Sequence, residues 1–168
     1  RLQNLNDLIV NCPELRELER LLGSFNIFRV LGAKYHELRH SNILAWFLQS
    51  NESHGLQDLF LRRWLMRVLN DAEEIEYDLP DPADVDVTQF VKTQVLREWA
   101  NIDLVIVLET LERDQWVVAI ENKVRATQSK DQLKRYRHVV EESFPRAKHR
   151  IFIYLTKNPE RPKDSRYI

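Results

Sequence analysis

The chain has 168 residues, 43% of them hydrophobic and 30% charged, which fits one ordinary globular domain able to bury a core and argues against a disordered chain. No apolar run approaches the length of a bilayer-spanning segment. The formal net charge of -1 excludes a protein that coats nucleic acid indiscriminately, and a single cysteine, Cys12, excludes an intrachain disulfide or a cysteine zinc cage and suits a reducing cytoplasm.

Taken in chain order, Leu2, Leu5, Leu8 and Ile9, then Leu15, Leu18, Leu21 and Leu22, recur at helical spacing with Pro13 between them and Gly23 as a stop, so two short helices are expected first. A further helix is expected over Ile43–Gln49 and another over Leu56–Leu69, where Leu56, Leu59, Phe60, Trp64, Leu65 and Val68 form a wide apolar stripe. Residues 1–70 therefore read as a helical N-terminal part. The stretch 71–88 is acidic and carries Pro80 and Pro82, which predicts a surface loop. Beyond it, Phe90–Trp99, Ile102–Leu108, Trp116–Glu121 and Arg150–Thr156 have the composition of strands, with a helix from about Lys130 to Ser143 before the last. The expected architecture is one α/β domain over 1–168, whose core at 89–156 is a mixed sheet covered by helices. The chain begins at Arg1 without the basic start and apolar stretch of a signal peptide, and its last ten residues are polar with no clear terminal element, so a fragment of a longer chain is expected.

The most informative stretch lies between Asn101 and Lys123. As an antiparallel hairpin symmetric about Glu112, it pairs Leu108 with Trp116 and sets Asp103 opposite Glu121. Two facing carboxylates on an apolar sheet are costly unless a cation compensates them. Strand side chains alternate faces, so Lys123 points the same way as Glu121 and brings an ammonium to the same spot. This is the layout of a metal-dependent phosphodiesterase site. Charge is also polarised along the chain: residues 71–86 hold eight acids and no base, whereas 121–150 hold nine bases against four acids, on the side from which a polyanion would approach.

The Asp103 … Glu121-x-Lys123 arrangement resembles the PD-(D/E)XK nuclease superfamily, with Ile102 standing where the proline of that name would be. Gln132 and Tyr136 resemble the Gln-x-x-x-Tyr pair of its RecB-like, Cas4-like and phage-exonuclease branches. Glu37-Leu38-Arg39-His40-Ser41, Leu44-Ala45-Trp46 and His54-Gly55 through Phe60 look like the helical N-terminus of a bacterial branch. The resemblance spans roughly Tyr35–Thr156. It implies a restriction-endonuclease-like fold and a nuclease acting on DNA with Mg2+ or Mn2+. Asp103, Glu121 and the backbone carbonyl of Asn122 would be metal ligands, and Glu37 an additional acid reaching a metal through water. Lys123 would position water and stabilise charge; Gln132 and Tyr136 would hold the site or the nucleic-acid backbone. A groove contact is expected, with a second subunit, as in a homodimer, or further C-terminal sequence supplying more surface.

Each residue also has a plainer reading. Glu121 and Lys123 make sense as a surface salt bridge, Asp103 as a cap on the turn at Ala100-Asn101, and Tyr136 as core in register with Leu133 and Val140. Gln132 fits a capping box with Ser129. His36-Glu37-Leu38-Arg39-His40 is a literal H-E-x-x-H, the zinc-peptidase signature, which requires a helix straight through it and a third ligand such as His54. Ser41 competes with that reading as the N-cap of a helix starting after it. A nucleic-acid-binding module that keeps the fold without cutting is the third alternative.

Overall fold

A computed structural model of the chain describes residues 36–72, 79–123, 131–156, 162 and 164–168, and residues 36–168 form one compact unit. The two helices expected within residues 2–22 lie outside the described residues, as do Tyr35, Ser129 and Val124. In chain order the elements are α1 (Glu37–Leu48), α2 (Leu59–Asn70), α3 (Pro82–Val87), β1 (Phe90–Trp99), β2 (Ile102–Thr110), β3 (Gln115–Lys123), α4 (Gln132–Ser143) and β4 (His149–Thr156).

The strands form one sheet in the order β1-β2-β3-β4. The first three pair antiparallel through tight connections, and β4 joins β3 in parallel after the α4 crossover, as a parallel neighbour requires. Leu108 pairs with Trp116 and Leu104 with Ile120, so the hairpin has the register expected from its symmetry about Glu112. β2 and β3 read as near-continuous apolar runs because both faces of the sheet are covered. Leu104, Ile106, Leu108, Val118 and Ile120 pack with Ala45 and Leu48 of α1, Leu61, Leu65 and Leu69 of α2, and Val85 of α3. Val105, Val107, Val117 and Ala119 face the other way and pack with Leu133, Tyr136 and Val140 of α4. Leu61 and Leu65 are fully buried, and each such side chain contributes about 1.5–3 kcal/mol by leaving water.

Both edges of the sheet are occupied. On β1 the Gln49 carboxamide behaves like a strand neighbour, its Nε2 donating to the Thr93 carbonyl (3.0 Å) and its Oε1 accepting from the Val95 N–H (2.9 Å). On β4 the Ile168 N–H donates to the Phe152 carbonyl (2.9 Å) and the Ile168 carbonyl accepts from the Tyr154 N–H (2.8 Å). Tyr167 is buried beside them, so the polar tail expected to lack a terminal element does pack on the sheet.

Three other expectations are corrected. The helix expected from Ile43 begins at Glu37, so Ser41 is an interior, buried residue and not a cap. The helix expected from Leu56 begins at Leu59; its buried line is Leu61, Leu65 and Leu69, while Leu56 and Leu59 are exposed. The acidic stretch is not all loop. Pro82 occupies the first turn of α3, where a missing N–H costs nothing, behind a capping box in which Asp81 accepts from Ala83 N–H and Asp84 accepts from Asp81 N–H.

Candidate active site

Alternation along β2 and β3 decides what converges at the end of the sheet. Asp103 continues the row of Val105 and Val107, and Glu121 and Lys123 continue that of Val117 and Ala119, all on the α4 face. The β2–β3 ladder runs to Leu104↔Ile120, and Asp103 and Glu121 are the next residues on either strand. Asp103 Oδ2 accepts a 2.7 Å hydrogen bond from the Asn122 N–H, which ties the two strand ends together and answers the reading of Asp103 as a cap on its own turn.

Glu121 is 2% exposed, an unusual burial for a carboxylate. Its Oε1 receives Lys123 Nζ at 2.9 Å and Gln132 Nε2 at 3.0 Å. Its Oε2 is buried without a hydrogen-bond partner among the described residues. Gln132 Nε2 also donates to the Tyr136 hydroxyl (2.7 Å), so the amide serves Glu121 and Tyr136 and not a capping box; the N-cap of α4 is Asp131. Tyr136 satisfies both of its readings. Its ring is core at 4% exposure, and its hydroxyl reaches the site.

Burial pushes the Asp103 carboxyl above the ordinary carboxylate range; the Asn122 N–H and Lys123 oppose the shift, and Glu37 and Glu98 add to it. Burial likewise raises Glu121 against the Lys123 hydrogen bond, with Asp103 and Glu37 reinforcing the rise. For Lys123 burial works downward, but Glu121, Glu37 and Asp103 outweigh it and hold the ammonium above its usual value. Lys123 is thus held as an ammonium by the carboxylates around it. These same couplings place Glu37, on the first turn of α1, within electrostatic reach of all three groups.

Sequence reasoning missed Glu98. Arg97 pairs with Leu104 and Trp99 with Ile102, which brackets the exposed Glu98 between them at the level of Asp103, whose carboxyl it helps to raise. Ala100 and Asn101 both have positive φ (52° and 67°), the signature of a two-residue hairpin turn, and Glu98 is itself left-handed at 52°. Extending the hairpin symmetry to Ala100-Asn101 would have found it.

Among the described residues no three His, Cys, Asp or Glu side chains form a ready metal cage. Two carboxylates, one with an unbonded buried oxygen, instead fit a hard cation that keeps part of its water shell, as magnesium does. The zinc-peptidase reading fails on geometry. His36 is the N-cap of α1 with extended backbone, so only His40 of the pair is held on the helix. His54 Nδ1 accepts from the Leu56 N–H and its Nε2 meets the Gln49 carbonyl, so both ring nitrogens are engaged in the loop.

The sequence profile of the PD-(D/E)XK nuclease superfamily matches residues 25–167. The chain belongs to the PD-(D/E)XK nuclease superfamily. No curated protein and no solved structure matches the chain. The mixed sheet flanked by helices is the restriction-endonuclease-like α/β fold of this superfamily, and no helix among the described residues is long and apolar enough to cross a membrane.

The raised carboxyl groups of this superfamily member make its stability pH-dependent. A folded state that holds protons on Asp103 and Glu121 more tightly than the unfolded chain gains stability that is complete below the ordinary carboxylate pKa and lost as pH rises through the raised values. Lys123, also raised, contributes stability that is complete below the usual lysine value and lost only in strong alkali. A divalent cation competes with the carboxyl protons. Mn2+ is therefore expected to raise the melting temperature more at neutral pH than at about pH 5, and an equal or larger rise at the acidic pH would contradict the assignment.

Proposed function

We propose that this domain is a divalent-metal-dependent nuclease that hydrolyses phosphodiester bonds in DNA. The observation that carries the reading is the buried, unbonded Oε2 of Glu121 beside Asp103 and a charged Lys123 at one end of the sheet. Asp103 and Glu121, with the backbone carbonyl of Asn122, would hold Mg2+ or Mn2+. When bound, such an ion supplies Lewis acidity that neutralises phosphate charge and acidifies water. Lys123, kept as an ammonium, orients the attacking water and counters charge on the phosphate oxygens. Glu37 would contribute to holding the metal through water, and Gln132, braced by Tyr136, fixes the rotamer of Glu121. A net charge near zero fits groove contact better than wrapping, with a second subunit adding surface; DNA is the proposed substrate and the cytoplasm the proposed compartment.

The test offers the protein linear DNA, circular DNA and RNA in Mg2+, Mn2+, Zn2+ or chelator. Cutting of DNA that needs Mg2+ or Mn2+ and stops with chelator is expected. DNA binding that never leads to cutting and ignores the chelator would make the domain a binding module. Zinc-dependent peptide hydrolysis lost in His40→Ala would restore the peptidase.

A further inference from the structure

The middle residue of Glu121-x-Lys123 points away from its neighbours, toward the α1 face of the sheet. There Asn122, 5% exposed, meets Ser41, 3% exposed, and both are among the few polar side chains buried among the described residues. Asn122 Nδ2 donates to Ser41 Oγ at 3.1 Å and, more weakly, to the Glu37 carbonyl at 3.4 Å. The main-chain N–H of the same residue donates to Asp103 Oδ2. One residue thus contacts β2 through its backbone and the first turn of α1 through its side chain, while its chain neighbours are Glu121 and Lys123.

This arrangement has a mechanical consequence. Glu37 lies on the first turn of α1, which packs on the opposite face of the sheet from α4, so its carboxylate reaches the site only if that turn is held in register with the end of β3. Apolar packing of Ala45 and Leu48 fixes the far half of the helix but is non-directional. A hydrogen bond between two buried groups is directional, and leaving Asn122 Nδ2 without its hydroxyl is costly in the interior.

We propose that Ser41 and the Asn122 side chain form a positioning latch that sets Glu37 against the strand carrying Glu121 and Lys123. Ser41 acts through Asn122 and is a positioning residue; it touches no reacting atom. The latch rests on the nuclease reading given above.

The test compares Ser41→Val with Ser41→Thr, two β-branched residues of equal size of which only threonine keeps the hydroxyl. Mn2+ affinity is measured calorimetrically without substrate, kcat and KM are measured on DNA, and folding is followed by circular dichroism. Ser41→Val is expected to lower Mn2+ affinity and kcat by about 10- to 100-fold with KM for DNA unchanged, and Ser41→Thr to stay close to wild type. Against Asn122→Ala, the loss in Ser41→Val should be non-additive, because both remove the same bond. Equal losses in the valine and threonine variants, or wild-type values in a folded Ser41→Val, overturn the latch and leave the nuclease standing. Should Ser41→Val fail to fold, Ser41→Ala replaces it in the comparison with the same expected losses. A wild-type chain that neither binds Mn2+ nor cuts DNA overturns the nuclease reading and takes the latch with it.

Discussion

Glu121→Gln is expected to lower DNA cleavage by about a thousandfold or more while leaving the metal-free protein no less stable than wild type. The two effects separate because Glu121 is buried against its own electrostatics. Its carboxyl is raised chiefly by desolvation, and Oε2 gains no hydrogen bond for the charge it carries. Glutamine keeps the shape, and its carbonyl oxygen still accepts from Lys123 and Gln132, the two donors that now share Oε1. What is lost is the anionic ligand. A group whose ionised form the fold disfavours, yet whose neutral isostere is inactive, marks a site where function is kept at the expense of stability. Steady-state cleavage and thermal melting in chelator check this together. A glutamine variant that cuts DNA within about tenfold of wild type would remove Glu121 from the chemistry.

Lys123→Met should separate catalysis from metal binding. Methionine replaces the apolar stem and deletes the ammonium, which lies 2.9 Å from Glu121 Oε1 and helps keep two desolvated carboxylates tolerable in one place. Cleavage is expected to fall by about a hundredfold or more, as for the loss of one charge-stabilising group in a water-poor site. Mn2+ affinity should hold or rise, because the ammonium and the metal are two cations beside the same carboxylates and repel one another. The metal-free variant should melt lower than wild type and be stabilised more by Mn2+. Parallel loss of metal affinity and rate would instead make Lys123 a structural partner of Glu121.

The strands were legible because burial on both faces leaves β2 and β3 little choice but β-branched and apolar residues, and the spacing of Leu108 and Trp116 about Glu112 then dictates the register. With the register come Asp103, Glu121 and Lys123. The start of α1 was hidden because Glu37-Leu38-Arg39-His40 has no apolar periodicity; Leu38 is 54% exposed and Ser41, a cap-like residue, is buried for the sake of Asn122. Proline hid α3, since Pro82 breaks a helix interior but suits a first turn. Around α2 leucines stand on more than one side of the helix, so periodicity alone did not single out Leu61 and Leu69 from Leu56 and Leu59. The Gln132–Glu121 bond depends on where α4 sits against the sheet, which no local pattern carries.

Calorimetric titration of Mn2+ into wild type, Asp103→Asn and Glu121→Gln, without nucleic acid, asks most directly whether the two carboxylates share one ion. The expected result is saturable binding to the wild-type chain that weakens by at least about tenfold in each variant, since each removes an anionic ligand. Unchanged affinity in both variants would contradict it, because the cation would then belong to some other part of the protein.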